Sequence, residues 1–456
     1  MPIEIKAREL EGKTLLALAA AERGHVVVLG GKEDTLGLAR RGVLKPGVLH
    51  EKSLTPGPVR LAYLKELRAR GHVITSQDEE SGLLEESYER FARKRYSTET
   101  CSMAHRILCW GVHDARALRQ MYGGERGTVV ETGSPRVDFW RPEFSAYYAR
   151  SRSPVADQIG DYVLVSSKFV KVLNSRRFWE LVRIGRDNKQ FIDEEAEFAV
   201  YKEAGWTMSL LAEYVRMIRR LATDANVRVV VRPHPVEADD VWPVLLGDCP
   251  NVLVTREGML STWLRGAKAL IHNGCTSGLE AAVCGIPRIA YMPIRSEFEG
   301  KPPNAVSYQA ESLDALVEAV GTIAGGGRLA LDAGRQKAES ELLAERFANL
   351  EGSLAADRIV DEWDQLSSAS LEQPNDWNRV RRTVLGRRLR ARFSRELKAV
   401  RPRATGQLAS VTKHKYPDIS DMEMTTLVTN LKTSLGRFAG VHHERLGERS
   451  FILRST

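Results

Sequence analysis

Short apolar runs, each separated from the next by a helix-length segment, recur along most of this chain. The first third carries HVVVLGG, HVITS, RILCWG and TVVETGS, and DYVLVSS, VRVVVRPHP, NVLVT, KALIHNG and PRIAYMP follow. Strands this short and apolar need both faces covered, and a parallel sheet flanked by helices does that. ARELEGKTLLALAAAERG has helix composition and ends at a glycine; a long helical region spans about 192–223, and SLDALVEAVGTIAGG follows the last strand. The pattern predicts an α/β protein built from two Rossmann-like, doubly wound parallel-sheet domains facing a cleft.

A polar, irregular stretch, RPEFSAYYARSRSPVADQIG at 141–160, divides the two series. This places one domain at 1–150, a second at 151–351, and a helical, partly basic extension at 352–456. Charge is concentrated in that extension. Residues 376–405 hold eleven Lys/Arg against Asp376 and Glu396, a local 11 − 2 = +9, so the rest of the +8 chain sums to 8 − 9 = −1. The basicity belongs to one segment, which argues against a nucleic-acid-binding surface over the whole protein. Leu385, Leu389, Phe393, Leu397 and Val400 share one helical side of it. Such a stripe either lies on an anionic membrane surface or docks on the protein body. No apolar run approaches the roughly 18 residues of a membrane span, and MPIEIKAREL has no signal-peptide core. Five cysteines without a CxxC pair disfavour a disulfide framework or zinc site and point to the reducing cytoplasm.

Four stretches carry chemistry. VRVVVRPHP ends a core strand with Arg232, Pro233, His234 and Pro235, where prolines forbid further pairing. Arg232 can clasp a phosphate bidentately, and an imidazole held in a rigid turn can donate to phosphate oxygen; the alternative is a plain strand-ending turn. KALIHNGCTSGLEAAVCGIP brings His272, Asn273, Gly274, Cys275, Thr276, Ser277 and Gly278 to a strand-to-helix turn, with Glu280 positioned to accept from ribose hydroxyls. Hydroxyls, small residues and free N–H groups suit an anion, though Ser277 could simply cap the helix. Two such strand ends in one domain favour a nucleotide site. HVITSQDEESGLL sets Asp78, Glu79 and Glu80 ahead of Gly82. Three carboxylates in a closed site raise one pKa, as a general base requires, whereas an open acidic loop would do nothing. ETGSPRVDFW either lines the cleft from the first domain, offering Arg136, or is a turn between the domains. By contrast, Gly12, Lys13 and Thr14 only mimic the end of a P-loop, because Ala7 replaces the leading glycine. Asp-x-Asp occurs nowhere, leaving a metal-bridged diphosphate without a candidate, and there is no nucleophile elbow.

Together with HKYPDIS and LGERSF near the end, these stretches resemble the bacterial surface carbohydrate biosynthesis family, glycosyltransferases of GT-B architecture, over nearly the whole chain. More distantly, the acidic block, the His-Pro block and the hydroxyl loop are similar to those of CMP-sugar-using sialyl and Kdo transferases. The resemblance implies a metal-independent transfer of a sugar from a nucleotide sugar, with a CMP-linked sugar as one candidate, to a cell-surface glycan or lipid-linked acceptor. No cofactor is implied beyond the nucleotide-sugar co-substrate. It also implies that the first domain binds the acceptor near Gly82 and Arg136, with Asp78, Glu79 or Glu80 as base. The second domain would bind the donor through Arg232, His234, Pro235, His272, Asn273, Gly274, Thr276, Ser277, Gly278 and Glu280. His234 would contact the leaving phosphate, and the basic helix would hold the enzyme at the inner face of the cytoplasmic membrane. The same arrangement resembles CDP-glycerol glycerophosphotransferases, a second reading. A third, of another class, is a non-catalytic nucleotide-binding or membrane-associated scaffold.

Overall fold

The alanine-rich opening segment folds as the helix Lys6–Glu22, with Leu15 to Ala21 fully buried. Lys13 and Thr14 lie within it, so the P-loop mimic is helix interior. The structure, a computed structural model, describes all residues except 124–127, 152–153, 188–190, 192, 224–226, 330–332, 367–373 and 387–417. Its contacts define two units: Met1–Gly82, Ser87–Tyr147 and Ala344–Thr456 form the first, and Leu83–Glu86 and Tyr148–Leu343 the second.

In the first unit, β1 (Pro2–Ile3) pairs in parallel with β2 (Val27–Gly31). A separate, wholly parallel sheet contains β3 (Val48–Glu51), β4 (Val73–Ser76), β5 (Arg106–Cys109) and β6 (Val129–Glu131) in sequential order. Because that order never reverses, this sheet has no topological switch point.

The second unit is a six-stranded parallel sheet of β7 (Val163–Ser166), β8 (Val229–Arg232), β9 (Val252–Val254), β10 (Ala269–His272), β11 (Arg288–Tyr291) and β12 (Tyr308–Ala310). The order β12-β11-β10-β7-β8-β9 is the Rossmann order, with its reversal between β7 and β10. Alternation of side chains sends Val163, Val165, Val229, Val231 and Ile271 to one face, beneath the helix Glu194–Thr223. Leu164, Val230 and Leu270 go to the other, against Trp263, Leu264 and Ala281. Burying each such side chain contributes about 1.5–3 kcal/mol, so the strand ends sit on a rigid base. The α/β class and the Rossmann-like units expected from the sequence are present.

The C-terminal part departs from the expected helical extension. After the helix Asp421–Leu435, β13 (Val441–Gly447) and β14 (Ser450–Ser455) form a hairpin, and β14 pairs antiparallel with β2. The chain's end therefore completes a sheet of the first unit. Gly30 marks the close approach, since a Cβ there would lie 2.5 Å from the Arg449 carbonyl oxygen. At 377–386 the start of the basic stretch is helical. There Trp377, Val380 and Val384 pack against Leu38, Leu446 and Ile452. Leu385 is exposed; Leu389, Phe393, Leu397 and Val400 lie outside the described residues. Among the described residues no helix is long and apolar enough to cross a membrane.

Candidate functional site

In an open α/β sheet, ligands bind beyond the carboxyl ends of the strands where the strand order reverses. Here that point is defined to the residue. Ser166, the last residue of β7, pairs with Arg232 of β8 on one side and His272 of β10 on the other. Three loops therefore leave the sheet side by side: Ser167 and Lys168, Pro233 to Glu237, and Asn273 to Thr276.

Glu237 ties the first two together. Its buried carboxylate accepts from the Ser167 hydroxyl (2.7 and 2.8 Å), the Phe169 N–H (2.6 Å), the His234 N–H (3.3 Å) and the Trp242 indole N–H (2.9 Å). The RPHP turn closes through the Glu237 N–H to the His234 carbonyl (2.9 Å), with Pro235 on the outside. His234 is half-buried, and its Nδ1 accepts the Val236 N–H at 3.2 Å. That bond assigns the proton of a neutral ring to Nε2, which makes Nε2 the ring's donor atom. Lys168 reaches across the switch point, with Nζ donating to the Gly274 carbonyl at 3.0 Å. Burial lowers its pKa, while Cys275 and Glu203 pull it up.

The third loop is a packed bend. Gly274 has φ +73°, and a Cβ there would lie 2.7 Å from the Gly300 nitrogen, so the position needs glycine on both counts. Thr276 and Cys275 are half-buried, and the Ser166 hydroxyl lies 3.7 Å from the Cys275 sulfur. Ser277 is buried and its hydroxyl takes no protein partner. Asn273 spans to the Lys168 carbonyl through Nδ2 at 3.4 Å.

Four expected donor-binding residues have structural partners within the protein. Arg232 is spent on the backbone: its guanidinium donates to the carbonyls of Glu257 (2.6 Å) and Gly258 (2.8 Å) and stacks over Trp263. Burial, then Arg256, pulls its pKa down to about 10. His272 is fully buried, its Nδ1 accepting the Gly274 N–H (3.1 Å) and its Nε2 facing the Ser307 hydroxyl (2.9 Å). Burial, then Arg288 and Lys168, lowers its pKa to about 3, so it is a neutral core histidine. Gly278 serves that ring, because a Cβ would lie 2.6 Å from Nε2. Glu280 is buried and bonded to the Ser261 hydroxyl. Lys168, Ser167 and Glu237 were not anticipated; the Ser-Ser-Lys run closing DYVLVSSK was the available signal.

In the first unit the acidic block follows β4, and its carboxylates separate. Asp78 folds the loop, accepting the N–H groups of Glu80 (2.8 Å) and Ser81 (3.1 Å) and pairing with Arg95 at 2.7 Å. Glu80 faces outward to Arg8 (2.7 Å). Burial works to raise its pKa, but the Arg8 charge and hydrogen bond hold it below the usual range. Glu79 is buried 3.2 Å from Lys13, which also lies 3.4 Å from Glu9. Burial pushes the Glu79 carboxyl up against the pull of Lys13, and Glu9 adds to the rise. Ser81 has φ +42°, a strained value for a side-chain-bearing residue, and bonds Asp114 at 2.8 Å. The Gly82 carbonyl accepts from Arg346 (3.3 Å), and Arg136 stacks over Trp140. Among the described residues no cluster of His, Cys, Asp and Glu could hold a metal ion.

No family model matches the chain, and neither does any curated protein. Among solved structures, the S. aureus MnaA–UDP co-structure is 12% identical, covering 82% of this chain and 97% of its own at a TM-score of 0.46. The Methanocaldococcus jannaschii UDP-GlcNAc 2-epimerase with UDP-GlcNAc and UDP is 11% identical, covering 77% and 96% at 0.43. The wall teichoic acid polymerase TagF with CDPG is 10% identical, covering 71% and 73% at 0.40. Likenesses this remote assign no activity to the chain.

Proposed function

We propose that the protein is a GT-B-type glycosyltransferase that takes a sugar from a nucleotide-linked donor and places it on a hydroxyl of a surface-glycan or lipid-linked acceptor. The observation that carries this reading is the in-register ending of β8, β7 and β10 at the switch point, which sets Lys168 and His234 on adjacent loops. The donor phosphates are assigned to Lys168 Nζ, His234 Nε2, Thr276 and Ser277. As the bond to the sugar breaks, negative charge grows on the leaving phosphate, and preorganised donors there lower the barrier. Countercharge comes from the protein's own cation, with His234 placed to hydrogen-bond the departing oxygen.

Glu79 is assigned as the base. Its raised carboxyl pKa suits proton abstraction from an acceptor hydroxyl, whereas Asp78 and Glu80 are held by Arg95 and Arg8. Acceptor recognition is assigned to the first unit near Gly82 and Arg136, and placement at the inner face of the cytoplasmic membrane to the basic segment.

Thermal-shift measurement of the full chain against CMP, CDP, UDP and GDP, with and without magnesium, tests the reading. Stabilisation by one base family irrespective of magnesium supports it. No shift with any nucleotide favours the non-catalytic scaffold. Turnover of CDP-glycerol with glycerophosphate transfer would install the phosphotransferase reading instead.

A further inference from the structure

Glu79 shares its lysine with a second carboxylate. Glu9 and Lys13 lie one turn apart on the helix Lys6–Glu22, and Glu79 follows β4. Lys13 Nζ donates to the Pro2 carbonyl at 2.8 Å and stands 3.4 Å from Glu9 Oε2 and 3.2 Å from Glu79 Oε1. A lysine ammonium carries three protons, and these three oxygens compete for them. Glu9, Lys13 and Glu79 are all buried, so salt and bulk water screen their charges little.

The two carboxylates are held differently. Glu9 also accepts the N–H groups of Glu4 (2.9 Å) and Ile5 (3.1 Å), and Lys52 Nζ lies 3.6 Å from its Oε1. Hydrogen bonds and positive charge favour the ionised form of a carboxyl group. Burial works to raise the Glu9 pKa, but Lys13, Lys52 and the Glu4 N–H hold it below the usual range. For Glu79, Lys13 is the only cation in an ion pair among the described residues.

The charges of the surrounding elements are committed elsewhere. Lys52, in the loop after β3, is divided between Glu9 and Glu4, the latter at 3.2 Å. Glu51, at the end of β3, is tied to Arg60 (2.9 Å) and the Tyr63 hydroxyl (2.5 Å). Burial, then Lys13, holds the neighbouring His50 well below its usual range, so that ring adds no charge. The same two causes pull the Met1 amine down to about 5. On the loop itself, Asp78 and Glu80 belong to Arg95 and Arg8.

We propose that Glu9 and Lys13 are positioning residues for the base: Lys13 anchors the Glu79 carboxylate, while Glu9 claims part of the same ammonium and so leaves Glu79 able to accept a proton. This rests on the assignment of Glu79 as base. Without Glu9, Lys13 would become a full counter-ion, and Glu79 would bind a proton too weakly to draw one from a hydroxyl. Without Lys13, two buried carboxylates would face each other uncompensated, and one would keep its proton at neutral pH.

Carboxyl-carbon NMR titration of the full chain, labelled in its glutamate side chains, tests this; Glu79 is identified by the signal that Glu79→Gln removes. In Glu9→Gln, which keeps the shape, the Glu79 midpoint should fall by about one pH unit or more, and in Lys13→Met it should rise by a similar amount. Glu9→Asp, which keeps the charge, should show less than half of that fall. A purely structural role would not move one carboxyl group in opposite directions. Should Lys13→Met fail to fold by circular dichroism, the comparison of Glu9→Gln with Glu9→Asp decides alone. An unmoved or raised midpoint in Glu9→Gln, or no rise in folded Lys13→Met, overturns the inference while leaving Glu79 standing as base. Turnover retained in Glu79→Gln removes the base, and this inference with it, whatever the midpoints do.

Discussion

The Ser167 hydroxyl lies 2.7 and 2.8 Å from the two carboxylate oxygens of Glu237, joining the loop after β7 to the loop after β8 across 70 residues of sequence. The same carboxylate takes the Phe169 and His234 N–H groups and the Trp242 indole. Removing it strands several buried donors at once, each costing about 1–3 kcal/mol. Glu237→Ala is therefore expected to destabilise the protein by about 3 kcal/mol or more in urea denaturation. Glu237→Gln, which keeps one acceptor oxygen, should cost less. Equal, small effects would mean that the two loops are held by something else.

The acidic block should split under conservative substitution. Asp78→Asn removes a buried partner of Arg95 and is expected to lower stability by about 2–3 kcal/mol. Glu80→Gln breaks a pair whose carboxylate side chain is 47% exposed and should change stability by less than about 1 kcal/mol. Glu79→Gln should leave the protein folded by circular dichroism yet reduce turnover roughly 100-fold or more. Turnover retained in Glu79→Gln places the base elsewhere.

His272 gives a pH signature. Its folded pKa of about 3 lies below the unfolded value near 6.5, so between these values the unfolded chain binds the extra proton. The stability it contributes is fully present above pH 6.5 and is lost as pH falls towards 3. Unfolding free energies from urea melts at pH 7 to 4 should fall more steeply for wild type than for His272→Gln, by up to about 1.4 kcal/mol per pH unit. Parallel curves would show that the ring titrates alike in the folded and unfolded chain.

Much of the framework was legible because each strand of the second unit except β12 is built on three consecutive apolar residues, most of them buried. Pro2–Ile3, Val48–Glu51 and Tyr308–Ala310 were missed because they carry no run of three consecutive apolar residues like those strands: a proline and one isoleucine, VLHE, and YQA. β13 was missed because HHERLG reads as polar loop, and only its pairing with β14 makes it a strand. At the candidate site, the motifs lie at the strand ends beside the switch point, but several of the side chains they offer are engaged with the protein itself. Arg232 looked like an anion clasp, yet the carbonyls of Glu257 and Gly258 lie within its reach, a long-range fact no local pattern carries. Lys168 went unnoticed because its significance comes from lying opposite Gly274, 106 residues away.

The central claim is that Lys168 and His234 hold a nucleotide's phosphates at the β7–β10 switch point. Calorimetric titration of the nucleotide that stabilises the full chain, compared across wild type, Lys168→Met and His234→Ala, tests it most directly. The account predicts affinity reduced tenfold or more in each variant, with melting temperatures of the unliganded proteins within a few degrees of wild type. Affinity undiminished in both variants would contradict it.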